Sequence, residues 1–175
     1  MLSGFIKRLL MARQAQFVEG DVKIFAMPFL LSPVDHHVVL YGKLKGACKN
    51  PELVLFETGK DTAKIMVSYF KKKFSMGKGT ELVNLWKNIF DSSGYGELQI
   101  IALKAGEGKA IFQIKNSAFA KQYLAANGRP GKPIDHHIAG LLAGFMSEMT
   151  GKDVKCEETK CIASGGPYCE FVISP

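Results

Sequence analysis

The chain has 175 residues, 47% of them apolar and 22% charged, with a formal net charge of +7. That length fills one good core and is short for two, and the balance is that of a globular protein, not a disordered or fibrous one. No apolar run reaches the ~18 residues that cross a bilayer, and Lys7 and Arg8 break the stretch where a secretory signal needs its apolar centre. A cytoplasmic protein is therefore expected, and in that compartment the four cysteines argue for metal ligands or free thiols over disulfides.

In chain order, Leu2, Phe5, Ile6, Leu9 and Leu10 recur at helical spacing opposite Lys7 and Arg8, which predicts an amphipathic helix over about 2–15. Val22 to Leu31 reads as a strand broken by Pro28, which suits an edge. Ser32-Pro33 opens a helix that Gly46 and Asn50-Pro51 close. A long helix follows from Glu52 to Phe74, with Leu53, Phe56, Ile65, Tyr69 and Phe70 turned inward and Gly59 marking a kink or close approach. Thr80 to Phe90 is a further helix and carries the only tryptophan, Trp86.

The period then changes. Glu97–Lys104 and Lys109–Lys115 flank Ala105-Gly106-Glu107-Gly108 as a hairpin. The breaker-rich loop from Asn127 to Pro133 precedes a helix to Thr150, which Gly151 stops. Val154–Ile162 and Tyr168–Ile173 form a second hairpin around Ser164-Gly165-Gly166-Pro167. These elements predict a single α+β domain over 1–175, with an antiparallel sheet of about four strands packed against a helical layer.

Chemistry gathers near the C-terminus. Glu158 and Cys161 are three apart, and the glycine turn between Cys161 and Cys169 allows their sulfurs to meet. Thiolate with carboxylate suits zinc. Asp135 or His136, at the start of the last helix, is a candidate fourth ligand. Cys156 competes with Glu158, because the two share one face of a strand. Two Asp-His-His strings, at 35–37 and 135–137, contain every histidine of the chain, but the further acidic motifs and larger scaffold of a two-metal phosphoesterase are missing. The lysines are dispersed apart from Lys71-Lys72-Lys73, a run that reads as a solvated helix end. No nucleic-acid-binding module is recognisable, so the chain is not expected to bind nucleic acid by itself.

Ile138-Ala139-Gly140-Leu141-Leu142-Ala143-Gly144-Phe145, Gly151-Lys152-Asp153-Val154, Glu158-Thr159-Lys160-Cys161 and Ser164-Gly165-Gly166-Pro167-Tyr168-Cys169-Glu170-Phe171 together resemble the 4-vinyl-reductase domain family, with the motif spanning 135–173. That family includes archaeal hydrocarbon-binding proteins and the effector domains of phenol-sensing activators, and in fold it resembles the TRAPP subunits of vesicle tethering. The resemblance implies a TRAPP-like, NO-signalling-like ligand-binding fold and a structural zinc on Glu158, Cys161 and Cys169. The phenol sensors' remaining cysteine falls on Asp135, which departs from their pattern and leaves His136 and Cys156 as alternates.

An apolar or aromatic small molecule is the expected partner, held in a pocket between helices and sheet. Trp86, Tyr69, Tyr95 and Tyr123 are candidate contacts, since each pairs a flat apolar body with a polar tip. A homodimer is expected, from the resemblance and the N-terminal stripe. Two other roles compete with sensing. One is a dimeric interaction scaffold. The other is reduction of a tetrapyrrole vinyl group, for which no nucleotide-binding glycine motif or iron–sulfur cysteine spacing is present.

Overall fold

The structure is a computed structural model and describes residues 4–175. The first helix, α1 (Gly4–Met11), leads into a three-stranded antiparallel meander of β1 (Ala15–Val18), β2 (Asp21–Ile24) and β3 (Met27–Phe29). The expected helix over 2–15 is thus shorter at its C-terminal end, and positions 1–3 lie outside the described residues. The single strand expected over 22–31 is two strands, and β1 was not anticipated. Pro28 does lie on an edge strand, β3. Four-residue strands present too little alternation to announce themselves.

Three helices follow: α2 (Val34–Ala47), α3 (Pro51–Phe74) and α4 (Thr80–Ser92). At the start of α3 the Asn50 side chain accepts a hydrogen bond from the Leu53 N–H, and Pro51 occupies the first turn. Both are favoured helix-start chemistry. The buried line of α3 is Gly59, Ala63, Val67 and Phe70. Leu53 and Ile65, expected to face inward, are instead 52% and 69% exposed. They lie off the stripe that these four residues define at helical spacing.

The main sheet is β4 (Glu97–Lys104), β5 (Lys109–Lys115), β6 (Lys155–Lys160) and β7 (Cys169–Ser174), in the antiparallel order β4-β5-β7-β6. A short 3-10 turn at Ala105–Glu107 joins β4 to β5. Between β5 and β6 come α5 (Ala118–Asn127) and α6 (His136–Thr150). Helix α5 was not anticipated. Its start is fixed by Ser117, whose Oγ accepts from the Ala120 N–H at 3.2 Å.

The centre of the molecule is α6, buried over most of its length. It packs on α3 so closely that a Cβ at Gly140 would overlap the Phe56 carbonyl, one at Gly144 the Lys60 carbonyl, and one at Gly59 the His137 carbonyl. The small residues of both helices thus serve a backbone-to-backbone contact. Inward residues of the sheet, among them Leu98, Phe112, Ile114 and Phe171, close the main core against α4 and α6. A second cluster, built on Leu9, Phe25, Phe70, Leu85 and Ile89, ties α1 and the meander to α3 and α4.

Candidate functional site

The β6–β7 connection builds the metal-competent group. Strand pairing shifts register between Glu158 and Lys160, and a bulge of this kind bends the strand and re-aims its side chains. After β6 the chain tightens into successive turns: Ser164 N–H and Gly166 N–H both donate to the Cys161 carbonyl, at 3.1 and 2.9 Å. Gly165 there has φ +95°, a conformation that glycine adopts without strain. Cys169 then opens β7, and its Sγ accepts from the Ile162 N–H at 3.4 Å. As a result one carboxylate oxygen of Glu158 and the sulfurs of Cys161 and Cys169 all lie within 4.8 Å of one another, and all three residues are buried.

Asp135 caps the approach to α6 from beside this group. Its backbone N–H donates to Glu158 Oε2 at 2.7 Å, and its Oδ2 accepts from Ser117 Oγ at 3.0 Å. Its carboxylate is not among the converging donor atoms. Ser117, which also caps α5, had not been singled out. A serine before an alanine-rich run signals a helix start, but nothing in sequence links it to a residue 18 positions on. The other carboxylate oxygen of Glu158, Oε1, is buried without a hydrogen-bond partner. His136 Nε2 is likewise buried and unpartnered, and its ring lies 6.2 Å from that of Tyr41. Cys156 is half-buried two residues before Glu158 on β6.

The electrostatics of the cluster are those of groups competing for few charges. Burial, reinforced by the nearby Asp135 and Cys161, pushes the Glu158 carboxyl up to about 9. Burial also raises Asp135 to about 7, against the pull of the Ser117 hydrogen bond. Cys161 moves the other way, down to about 5, chiefly through its hydrogen bond with Cys169, with the one to Glu158 adding to it. Cys169 is correspondingly pushed up by its bond to Cys161. Negative charge therefore settles on the Cys161 sulfur, with protons held on Glu158 and Cys169. Desolvation drives the Cys156 thiol upward as well.

The candidate ligand contacts do not converge. Trp86 is buried in the main core, stacked on Phe145 at 5.0 Å with rings 11° apart, and its Nε1–H has no acceptor. Tyr95 packs on Phe90 at 5.2 Å and lies 6.3 Å from the His137 ring. Tyr123 joins Tyr41 and Phe119 where α2 meets α5. Tyr69 belongs to the second cluster and donates its hydroxyl to the Phe25 carbonyl at 2.8 Å. The space assigned to a ligand between helices and sheet is occupied by the Trp86–Phe145 stack and its neighbours.

Two clefts open at the surface. One, of about 440 Å³, is bordered by Lys60, Lys64, Ser147, Glu148, Lys152 and Asp153. The other, of about 230 Å³, lies on the sheet against Ala102, Ile111 and Val172. Among the described residues, no helix is long and apolar enough to cross a membrane, and the two Asp-His-His strings form no ligand group of their own.

The segment from β5 to the C-terminus, which contains every candidate ligand of the metal-competent group, matches a known domain. Residues 111–175 are a vinyl-4-reductase domain. That domain lies inside a longer similarity. The uncharacterized protein MJ0150 of Methanocaldococcus jannaschii is 26% identical over 137 residues, covering 77% of this chain and 70% of its own.

Three solved structures share the fold. The phenol-responsive sensory domain of the transcription activator PoxR, solved with phenol, superposes with a TM-score of 0.82 at 16% identity, covering 99% of this chain and 92% of that one. A vinyl-4-reductase family protein from Methanocaldococcus jannaschii gives 0.57 at 22% identity, covering 99% and 96%. Subunit 3 of a trafficking protein particle complex from Naegleria fowleri, covalently bound to palmitic acid, gives 0.55 at 14% identity, covering 81% and 93%. The mixed helix-and-sheet fold expected from sequence is therefore that of this chain.

Proposed function

We propose that this chain is a sensor-type domain that binds a small apolar or aromatic molecule beside Trp86, with a structural zinc ion at the C-terminal hairpin. The observation behind the ligand is the Trp86 Nε1–H, a buried donor with no acceptor in an otherwise apolar core. Buried donors are rarely left unpaired, and apolar pockets orient their occupants through a few such groups. A phenolic oxygen supplies the missing acceptor, and phenol is the molecule in the PoxR structure that shares this fold. Entry requires Trp86 and Phe145 to part.

Support for zinc comes from the donor set. Two sulfurs about 2.3 Å from a tetrahedral ion stand about 3.8 Å apart, which fits a group already gathered within 4.8 Å. The unpartnered Glu158 Oε1 adds a buried carboxylate oxygen in need of a counter-charge. Glu158, Cys161 and Cys169 would hold the ion, and Asp135 would complete the set, with His136 and Cys156 as alternates. The ion cross-links the hairpin, and the Asp135 N–H bond to Glu158 extends that link to α6. We take the protein to act as a homodimer.

One tryptophan per chain makes the test direct. Phenol titrated into the protein is expected to change Trp86 emission saturably and to raise the melting temperature. Trp86→Phe, which keeps the stack and removes the donor, is expected to abolish that stabilisation while staying folded. A flat emission and an unchanged melting temperature at millimolar phenol would end the sensor reading.

A further inference from the structure

α2 buries one side only. Val38 and Tyr41 are its buried residues, while Val39 is 58% exposed and Leu40 42%. With 3.6 residues per turn, Asp35, Val39, Lys43 and Gly46 fall on one outward stripe opposite Val38 and Tyr41, and Gly42 adjoins it. A Cβ at Gly42 or Gly46 would meet nothing within 4 Å. These two glycines differ from Gly140 and Gly144, whose missing side chains admit the backbone of α3. Leu53 and Val54, in the first turn of α3 just beyond the end of α2, are exposed as well. The outward stripe is thus a small, apolar surface that no part of the described chain covers.

Its charges select the occupant. Asp35 precedes Val39 by four residues and Lys43 follows it by four. Neither side chain has an ion-pair partner among the described residues, and Asp35 Oδ1 only accepts a hydrogen bond from Gln122. A stripe with an acid at one end, a base at the other and a valine midway is complementary to itself when reversed. We infer that α2 docks antiparallel against α2 of a second copy of this chain, with Val39 on the two-fold axis. That isologous arrangement places Asp35 of each copy against Lys43 of the other, and the glycines let the two helices approach closely. The inference deepens the homodimer reading by assigning its face, and it does not depend on any ligand.

Charge reversal tests it by sedimentation. The wild type is expected to run at twice the 19.2 kDa of the chain at micromolar concentration. Asp35→Lys or Lys43→Glu alone should weaken dimerisation by at least about tenfold, because like charges then face each other across the axis. The double exchange should restore it. Gly42→Leu should also give a monomer while melting no lower than wild type, since its side chain enters open space and glycine is the weaker helix former. A monomeric wild type, or a dimer indifferent to the single reversals, would overturn the assignment. Each variant should retain the Trp86 response to phenol, so failure here is distinguishable from failure of the sensor reading.

Discussion

The Glu158 side chain joins the two halves of the proposed site. One oxygen is engaged by the Asp135 N–H and the other has no partner, so the residue is half anchored and half waiting. In the metal-free protein its carboxyl is raised to about 9 and the Cys169 thiol is pushed up, so both hold protons at neutral pH. Cys161, lowered to about 5, is already a thiolate. Metal ligands must be deprotonated, so zinc has to displace the protons of Glu158 and Cys169. Affinity should therefore rise with pH through the neutral range, by up to about a hundredfold per unit when two protons leave. Competition titrations against a chromophoric chelator between about pH 6 and 8 measure this. Glu158→Gln removes one of the two protons and should halve the logarithmic slope as well as weaken binding. A slope near zero in the wild type would mean that these groups are not the ligands.

At the scale of elements, α6 and α3 meet through backbone, and there the cost of added bulk can be forecast. Gly140→Ala would force its methyl into the Phe56 carbonyl, which sits on a helix rather than at the end of a flexible side chain. The helices must separate, at about 1–3 kcal/mol, the usual penalty for overpacking. Chemical denaturation should show that loss, whereas Gly42→Ala on the open side of α2 should show none. The same contact explains what could be read in advance. Gly59, Gly140 and Gly144 are legible because a glycine inside a helical pattern signals close approach. Long elements such as α3, β4 and β5 declared themselves by period. The meander did not, since each of its strands is only three or four residues long. Cys161, Cys169 and Glu158 could be grouped from spacing and turn chemistry, and the structure brings their donor atoms together. The environment of Trp86 was illegible, because its stacking partner Phe145 is remote in sequence and only packing decides that the two rings meet.

For the whole molecule the order β4-β5-β7-β6 has a consequence that the hairpin alone does not suggest. β7 lies at the C-terminal end of the sequence, yet it sits inside the sheet, paired to β5 on one side and β6 on the other. Its inward residues Cys169, Phe171 and Ile173 belong to the main core. An ion held by Cys169 and by Glu158 of β6 therefore fastens a strand on which both the sheet and the core beneath α6 depend. Losing it should weaken the entire fold cooperatively instead of fraying one end. With zinc about a thousandfold above its dissociation constant, linkage contributes about 4 kcal/mol, which for a chain of this size is about 10 °C of melting temperature. Dialysis against a strong chelator should lower the midpoint by that order, with far-ultraviolet dichroism and Trp86 emission moving together, because both report a core that contains β7. An unchanged midpoint would remove the structural ion. A separate early transition seen by dichroism while Trp86 stays native would show that the hairpin unfolds on its own, and that the ion fastens less than the strand order implies.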